Sequence, residues 1–315
     1  MDILVGFTGF VGQNLYKQHR FDAAFNSKNI TDAYGTSPDL CVYSGVRAEK
    51  FVADSYPDED LAHINEAITN ICKINPKRLV LISTVDVISS VQPADVYEDT
   101  EYVADNLTPY GRHRLFLENQ VRDIHANSLV VRLPALFGQG LKKNFIFDLI
   151  NFIPAMLRKS KFDELNSRQP LLANYYHEDA NGFLRLKGDL TPGCKDKLKD
   201  MFRELGFSAL GFTDSRSMFS FYNLDHLWGH IKTLVNEEAR LAHLANEPIT
   251  ASEIYQSLYG SEFINLAADQ PFDYSFFKTR YARLLGASND NYISGKETIL
   301  SEIIDFIKGG KHALH

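Results

Sequence analysis

A glycine-rich turn near the start of the chain constrains the fold more than any other feature. An apolar run ends at Val5 and is followed by Gly6-Phe7-Thr8-Gly9-Phe10-Val11-Gly12 and then by a stretch of helical character. In such a strand–turn–helix the glycines permit a sharp turn, a close approach of backbone to a pyrophosphate, and tight packing of the helix on the strand. The helix N-terminus attracts the anion. The motif predicts a dinucleotide site at Gly6, Thr8, Gly9, Phe10, Val11 and Gly12.

Short apolar runs alternate with helical segments over the first part of the chain. Strands are predicted at residues 2–6, 21–25, 40–43, 78–83 and 128–133, and amphipathic helices at 58–74 and 109–126. This alternation is typical of βαβ units with right-handed crossovers, which build a parallel sheet covered by helices on both faces. The predicted fold class is α/β, a Rossmann-type doubly wound parallel sheet with a smaller C-terminal substrate-binding lobe.

The regular alternation weakens after Leu133, which suggests a second domain. Residues 1–140 are predicted to form the dinucleotide-binding domain, to which later segments return, and residues 141–315 to form mainly the substrate-binding lobe. An insert at about 154–215 carries one clear helix, at 195–205, and many apolar side chains. Burial of a large apolar side chain is worth roughly 1.5 to 3 kcal/mol. The insert is therefore expected to close over the substrate as a lid, or else to pack against a second subunit.

Composition excludes several other classes of protein. A net charge of -7 and a pI near 5.8 disfavour nucleic acid as a partner, because phosphate binding needs a clustered basic face. No signal peptide or bilayer-spanning run is recognised, so a cytoplasmic protein without a membrane partner is expected. Three separated cysteines predict neither a disulfide framework nor a metal knuckle. His226 and His230 have metal-ligand spacing but no third ligand beside them, so no metal site is predicted.

The residues after the second strand bear on the choice between NAD and NADP. An acid there would hold the ribose 2′-hydroxyl of NAD, whereas cationic and polar donors suit a 2′-phosphate. The sequence at this point contains Asn26, Ser27 and Lys28 and no acid. NADP is therefore favoured, with NAD as the alternative if Lys28 is a solvated loop charge and Asp32 plays the acid.

Several motifs together resemble the extended short-chain dehydrogenase/reductase family, in particular its NAD(P)-dependent nucleotide-sugar epimerases, dehydratases and ketoreductases. They are the GxxGxxG spacing, the pair Ser83-Thr84 at a strand end, and Tyr110-Gly111-Arg112-His113-Arg114 at the family's YxxxK position. Residues 132–138, 219–225 and 247–254 resemble later family segments. Arg114 departs from the family, which carries Lys there.

The resemblance implies an enzyme in which Tyr110 exchanges a proton with a sugar oxygen. Thr84 would orient that oxygen, and Arg114 would stabilise the tyrosinate by its fixed positive charge. Cofactor contacts are implied for Ser83, Tyr110, Arg114 and Leu133. Candidate substrate contacts are Asp86, Asn144 and Arg216, although a carboxylate at the position of Asp86 is more often a cap or solvent-facing.

Three functions remain open from the sequence. The first is an NADPH-dependent ketoreductase that acts on a nucleotide-activated sugar. The second is a redox-neutral nucleotide-sugar epimerase that retains its NAD(P). The third is a non-catalytic NADP-binding sensor, motivated by Arg114 in place of the family's lysine. The oligomeric state is left open between a monomer and a homodimer.

Overall fold

The computed structural model describes residues 1–89, 92, 94–101, 106–287 and 289–309. Within them the chain divides into two compact units. The first unit consists of the described residues of Met1–Leu141, Met218–Ile249 and Phe272–His315, and the second of Lys142–Ser217 and Thr250–Pro271. Two late segments of the chain thus join the first unit, so the second unit is shorter than residues 141–315.

A six-stranded parallel sheet forms the centre of the first unit. Its strand order is β12-β5-β4-β3-β1-β2, and every neighbouring pair is parallel. This confirms the predicted Rossmann-type α/β fold. Because β1 lies between β2 and β3, the strand order reverses there, and in such sheets ligands bind beyond the carboxyl ends of the strands at the reversal. In chain order the strands are β1 (Asp2–Val5), β2 (Ala23–Phe25), β3 (Leu40–Tyr43), β4 (Arg78–Thr84), β5 (Ser128–Leu133), β6 (Ala135–Phe137), β7 (Met156–Arg158), β8 (Tyr176–Glu178), β9 (Phe183–Leu186), β10 (Met218–Phe219), β11 (Phe221–Asn223), β12 (Leu241–His243) and β13 (Ile249–Thr250).

Local capping signals mark the ends of some of the helices. Pro57 occupies the first turn of one helix, which also carries three acidic residues there and ends at Asn75 in the left-handed conformation. Thr250 and Glu253 form a capping box at the start of another. In chain order the helices are α1 (Phe10–Gln18), α2 (Lys50–Ser55), α3 (Pro57–Ile74), α4 (Pro109–Ile124), α5 (Phe145–Ile150), α6 (Lys159–Arg168), α7 (Pro192–Glu204), α8 (Leu227–Asn236), α9 (Ala251–Tyr259) and α10 (Lys296–Lys308).

The five strands predicted for the first part of the chain are present, with ends shifted by two residues or fewer. Several other elements were not predicted, among them β12 and α6. The edge strand β12 has three residues, too few to show a period. Helix α6 buries only Phe162 and Leu165, so its amphipathic pattern is weak.

The second unit contains a small antiparallel sheet of order β7-β9-β8 with its own hydrophobic core. Leu157 and Leu184 face this core from the sheet, and Phe202 faces it from α7. The insert therefore buries much of its apolar surface within itself. The need to bury those side chains no longer argues for a lid or for a second subunit.

No helix among the described residues combines the length and apolar character needed to cross a membrane.

A buried ionic cluster joins β4, β5 and α4 in the first unit. Glu118 is fully buried and its carboxylate accepts from Arg132 Nη2 at 2.7 Å, from Ser83 Oγ at 2.5 Å and from Arg122 Nη2 at 3.2 Å. Arg132 also lies within 3.2 Å of His243 Nε2 on the edge strand. Because an unpaired charge in the core is costly, this cluster fixes α4 against the sheet.

We expect Arg132→Met to lower the free energy of unfolding by about 3 to 5 kcal/mol, because it leaves the Glu118 carboxylate buried without its main partner. Arg122→Met removes a cation from the same carboxylate at a side chain that is 38% exposed, and should cost less than about 1 kcal/mol. Denaturant unfolding of both variants measures the difference. Equal losses of unfolding free energy in the two variants would show that Arg132 is not the main partner of Glu118.

Candidate active site

The glycine-rich turn closes tightly between β1 and α1. Gly6 has φ +89, a conformation that favours glycine, and a Cβ there would lie 2.6 Å from the backbone carbonyl of Ser44. A Cβ on Gly12 would overlap the carbonyl oxygen of Gly6. Ser44 Oγ in turn donates to Val5 O at 2.8 Å. Only glycine therefore lets α1 and the segment after β3 approach this turn so closely.

The N-terminus of α1 has no side-chain cap. Its N-cap is Gly9, which supplies no capping side chain, and the first turn carries no acidic residue. The first amides of a helix have no partner within the helix, so Phe10, Val11 and Gly12 present them at the carboxyl edge of the sheet. Thr8 and Gly9 are exposed. These features fit the pyrophosphate of a dinucleotide.

The segment after β2 forms a turn stabilised by asparagine side chains. Asn26 Oδ1 accepts from the Lys28 amide at 2.9 Å, and Asn29 Oδ1 accepts from the Asn26 amide at 2.8 Å. Ser27 and Lys28 are exposed at its tip. Asp32 is also exposed, within the 3-10 helix Ile30–Ala33. The turn thus presents a hydroxyl and an ammonium group directly after β2.

Polar side chains gather where β4 ends. Thr84 caps the 3-10 helix Val85–Val87, and its Oγ1 lies 3.2 Å from Asp86 Oδ2. Gly111, on the first turn of α4, packs directly against this segment, and a Cβ there would overlap the carbonyl oxygen of Asp86. This close approach brings Tyr110 beside Thr84, and burial raises the pKa of Tyr110 to about 12, with the Arg114 charge and the Thr84 hydrogen bond lowering it in part.

Arg114 contacts the ring of Tyr110, but its N–H groups donate hydrogen bonds to other residues. Its guanidinium carbon is 3.9 Å from the centre of the Tyr110 ring. Nη1 donates to the carboxylate of Asp60, and Nη2 donates to Arg47 O at 2.6 Å. The side chain is only 5% exposed. Asp60 also contacts His113 Nδ1 at 2.8 Å. The structure therefore places Arg114 against the ring of Tyr110 and pairs its charge with a buried carboxylate.

Sequence reasoning missed several members of this cluster. Lys50 Nζ lies 2.5 Å from Asp86 Oδ1, and Tyr274 OH donates to the same oxygen at 3.2 Å. Asp54 accepts from the Tyr110 amide at 2.9 Å. These residues come from α2 and from a segment far along the chain, and they match no spacing motif. Only the acidic character of α3 hinted at a partner for Arg114.

The side chains of other predicted site residues are engaged elsewhere. Ser83 Oγ donates to Glu118, and the Leu133 side chain belongs to the hydrophobic core. In the second unit, Asn144 has φ 104 and caps α5 by accepting from the Phe147 amide. Its side chain is thus engaged in starting a helix.

Arg216 lines a cavity of about 440 Å³ within the second unit, together with Ser215, Thr250, Ser252, Glu262, Phe263 and Ile264. Its guanidinium pairs with Asp214 at 2.9 Å and donates to Ala268 O at 2.7 Å. That pairing holds the pKa of Asp214 well below its usual range. Arg216 thus presents a largely compensated charge, and Glu262 on the same cavity adds a carboxylate.

The histidine pair on α8 is engaged by other side chains. His226 Nε2 lies 3.0 Å from Glu302 Oε1, and His230 Nδ1 lies 2.7 Å from the Tyr222 hydroxyl. In the described part of the chain, no group of three or more His, Cys, Asp or Glu side chains has an arrangement that could hold a metal ion.

We expect Gly12→Ala to lower the free energy of unfolding by about 1 to 3 kcal/mol, because the added methyl group forces α1 away from the turn. Gly229→Ala is a matched control, since a Cβ at that helical position would meet nothing within 4 Å. Thermal and denaturant unfolding of both variants check this. A Gly12→Ala protein as stable as the Gly229→Ala control would show that the turn does not require the close approach.

A family model described as the NAD dependent epimerase/dehydratase family matches residues 26–172. The match contains Thr84, Asp86, Tyr110 and Arg114 and begins after the glycine-rich turn. No curated protein sequence matched the chain.

Solved structures share the fold along nearly the whole chain. They include a dTDP-4-dehydrorhamnose reductase from Yersinia enterocolitica, at 14% identity and TM-score 0.61 over 99% of each chain. The same enzyme from Bacillus anthracis str. Ames in complex with NADP has 16% identity and TM-score 0.61, over 98% of this chain and 97% of that chain. A UDP-N-acetylglucosamine 4-epimerase from Methanobrevibacter ruminantium M1 in complex with UDP-N-acetylmuramic acid has 10% identity and TM-score 0.62, over 98% of this chain and 96% of that chain. The chain is thus similar to the NAD dependent epimerase/dehydratase family over residues 26–172, and it shares the fold of these solved structures along nearly its whole length.

Proposed function

We propose that the protein is an NADPH-dependent reductase that acts on the keto group of a nucleotide-activated sugar. The observation that carries this proposal is the buried Tyr110 hydroxyl, which sits beside Thr84 and keeps its proton because burial raises its pKa to about 12. A protonated tyrosine at the carboxyl edge of a dinucleotide-binding sheet suits the reduction of a carbonyl group, which consumes a proton at oxygen.

The cofactor assignment rests on two parts of the first unit. The amides at the start of α1 would hold the pyrophosphate, and Ser27 and Lys28 would meet the 2′-phosphate of NADP. The Bacillus anthracis structure with the same fold was solved in complex with NADP, which supports this choice. NAD remains the alternative, with Asp32 as the nearest acid after β2.

A bound nicotinamide dinucleotide supplies hydride to the carbonyl carbon. Tyr110 donates its proton to the carbonyl oxygen, so that the keto group becomes an alcohol. Thr84 hydrogen-bonds the same oxygen and orients it. Arg114, stacked on the Tyr110 ring, favours the tyrosinate that forms, and Asp60 opposes this by pairing with the guanidinium.

The protonation state of Tyr110 supports reduction more than epimerisation. An epimerase must both remove and return a proton, which is easiest when the tyrosine pKa lies near the working pH. Here burial raises the pKa, and Asp86 and Asp60 raise it further against the effect of Arg114. Tyr110 therefore holds its proton at neutral pH, which is the state that starts a reduction, whereas an epimerase starts by removing a proton from a sugar hydroxyl group.

Substrate contacts are proposed at Asp86, which lies beside Thr84, and at Asn144 and Arg216. A diphosphate role for Arg216 would require the ligand to compete with Asp214 for its guanidinium. Of these three residues, Asp86 is the best supported as a substrate contact, since it lies in the same cluster as Tyr110.

We expect Tyr110→Phe to lower the rate of keto-sugar reduction by about 100-fold or more, with the NADPH dissociation constant within about twofold of wild type, because the hydroxyl transfers a proton but adds little to dinucleotide binding. Tyr34→Phe is the control, since that hydroxyl bonds Asn70 on α3. The assay follows NADPH consumption with dTDP- and UDP-linked 4-keto sugars and compares it with the amount of product.

The assay also distinguishes the remaining functions. Sugar isomerisation without net NADPH consumption would identify an epimerase. Tight NADPH binding without turnover of any sugar would support the non-catalytic sensor, and in either case the reductase proposal would be wrong.

We expect NADPH to bind more tightly than NADH, and Lys28→Met to weaken NADPH binding by about tenfold, because one charge-assisted contact to the 2′-phosphate is lost. The NADH dissociation constant serves as the internal control and should not change. Equal affinity of the wild-type protein for the two cofactors would overturn the NADP assignment.

A further inference from the structure

One short segment after β3 contacts the surroundings of Tyr110 at three points. Arg47 O accepts from Arg114 Nη2 at 2.6 Å, and Asp54 Oδ1 accepts from the Tyr110 amide at 2.9 Å. Between them, Lys50 Nζ lies 2.5 Å from Asp86 Oδ1. The segment 47–54 therefore lies across the tyrosine, and Lys50 is the residue through which it meets the carboxylate next to Thr84.

Lys50 and Arg114 are both cations of this cluster, and they differ in their exposure to solvent. Arg114 is 5% exposed, and its terminal nitrogens are bonded to Asp60 and Arg47. Lys50 is 39% exposed. Its ammonium group has three N–H donors, and Asp86 takes one of them. Lys50 can therefore donate further hydrogen bonds to a ligand, whereas the terminal nitrogens of Arg114 are bonded within the protein.

The Asp86 carboxylate links Lys50 to the reacting position. Oδ1 accepts from both Lys50 and Tyr274, and Oδ2 lies 3.2 Å from Thr84 Oγ1. A sugar oxygen held by Thr84 and Tyr110 would place the neighbouring ring hydroxyls next to this carboxylate and its ammonium partner. Those hydroxyls can donate to Asp86 and accept from Lys50.

We propose that the Lys50–Asp86 ion pair is the specificity element for the sugar, and that it selects a neutral ring with hydroxyl groups beside the reacting carbon over a sugar that carries a carboxylate. This inference rests on the proposed function. The pair has no net charge, so repulsion from Asp86 would offset much of the attraction of a second carboxylate to Lys50. Hydroxyl groups can use both members of the pair.

The test measures binding of UDP-glucose, UDP-glucuronate, dTDP-glucose and dTDP-glucuronate by calorimetry in the presence of NADPH. These sugars carry no keto group, so they cannot be reduced and the complex is stable. We expect wild type to bind the glucose forms at least about tenfold more tightly than the glucuronate forms. Lys50→Met should weaken binding of the glucose forms by about tenfold, because charge-assisted hydrogen bonds are lost.

Asp86→Asn should instead change the preference between glucose and glucuronate. The amide oxygen still accepts from Tyr274, but Lys50 is left with an unpaired charge, so the preference for glucose over glucuronate should narrow at least about tenfold or reverse. If the pair had only a structural role, the substitution would weaken binding of the glucose and glucuronate forms by the same factor. An unchanged ratio in Asp86→Asn, or unchanged glucose affinity in Lys50→Met, would overturn the assignment.

Two controls separate this inference from the proposed function. UDP and dTDP without sugar should bind all variants equally, because the effect lies at the sugar. Lys77→Met removes an exposed lysine that pairs with Asp39 and should change nothing. If neither the nucleotides nor their sugars bind wild type, the nucleotide-sugar function itself is wrong and the assignment of Lys50 is wrong with it.

Discussion

Two close backbone approaches set the geometry on which the site depends. At Gly12, α1 lies on the carbonyl of Gly6, and at Gly111, α4 lies on the carbonyl of Asp86. The first brings uncapped helical amides to the carboxyl edge of the sheet, where the strand order reverses. The second brings the Tyr110 hydroxyl to Thr84. Because a methyl group at either glycine would meet a carbonyl oxygen, neither arrangement tolerates another residue without moving a helix.

The charges around Tyr110 differ from those that a lysine four residues along α4 would provide. Arg114 holds the tyrosine ring from one side, while Asp60 takes up its charge within the core. Lys50 lies across from it on the Asp86 carboxylate and remains accessible. The positive charge is thus divided between a buried arginine that acts on the ring and a lysine that is open to a ligand. Burial keeps the tyrosine protonated, because it raises the pKa of Tyr110 more than Arg114 lowers it.

The sequence predicted the Rossmann-type sheet and proposed site residues from local motifs, because strand runs, glycine spacing and helix caps are read within a few neighbouring residues. It did not predict the partners of those residues. Asp60 looked like one of several acids in the first turn of α3, and Lys50 like an ordinary surface lysine. Tyr274 lies 188 positions from Asp86. Such contacts depend on how the chain folds back on itself. Patterns of single residues do not record that information.

Amide hydrogen exchange can show whether the turn from Gly6 to Gly12 holds a dinucleotide. We expect NADPH to slow exchange at Phe10, Val11 and Gly12, because their amides gain hydrogen-bond partners on the pyrophosphate. Exchange should also slow after β2, at Ser27 and Lys28, and should not change in the Pro192–Glu204 helix. NADPH binding with no change in exchange at residues 6–12 would show that this turn does not hold the dinucleotide.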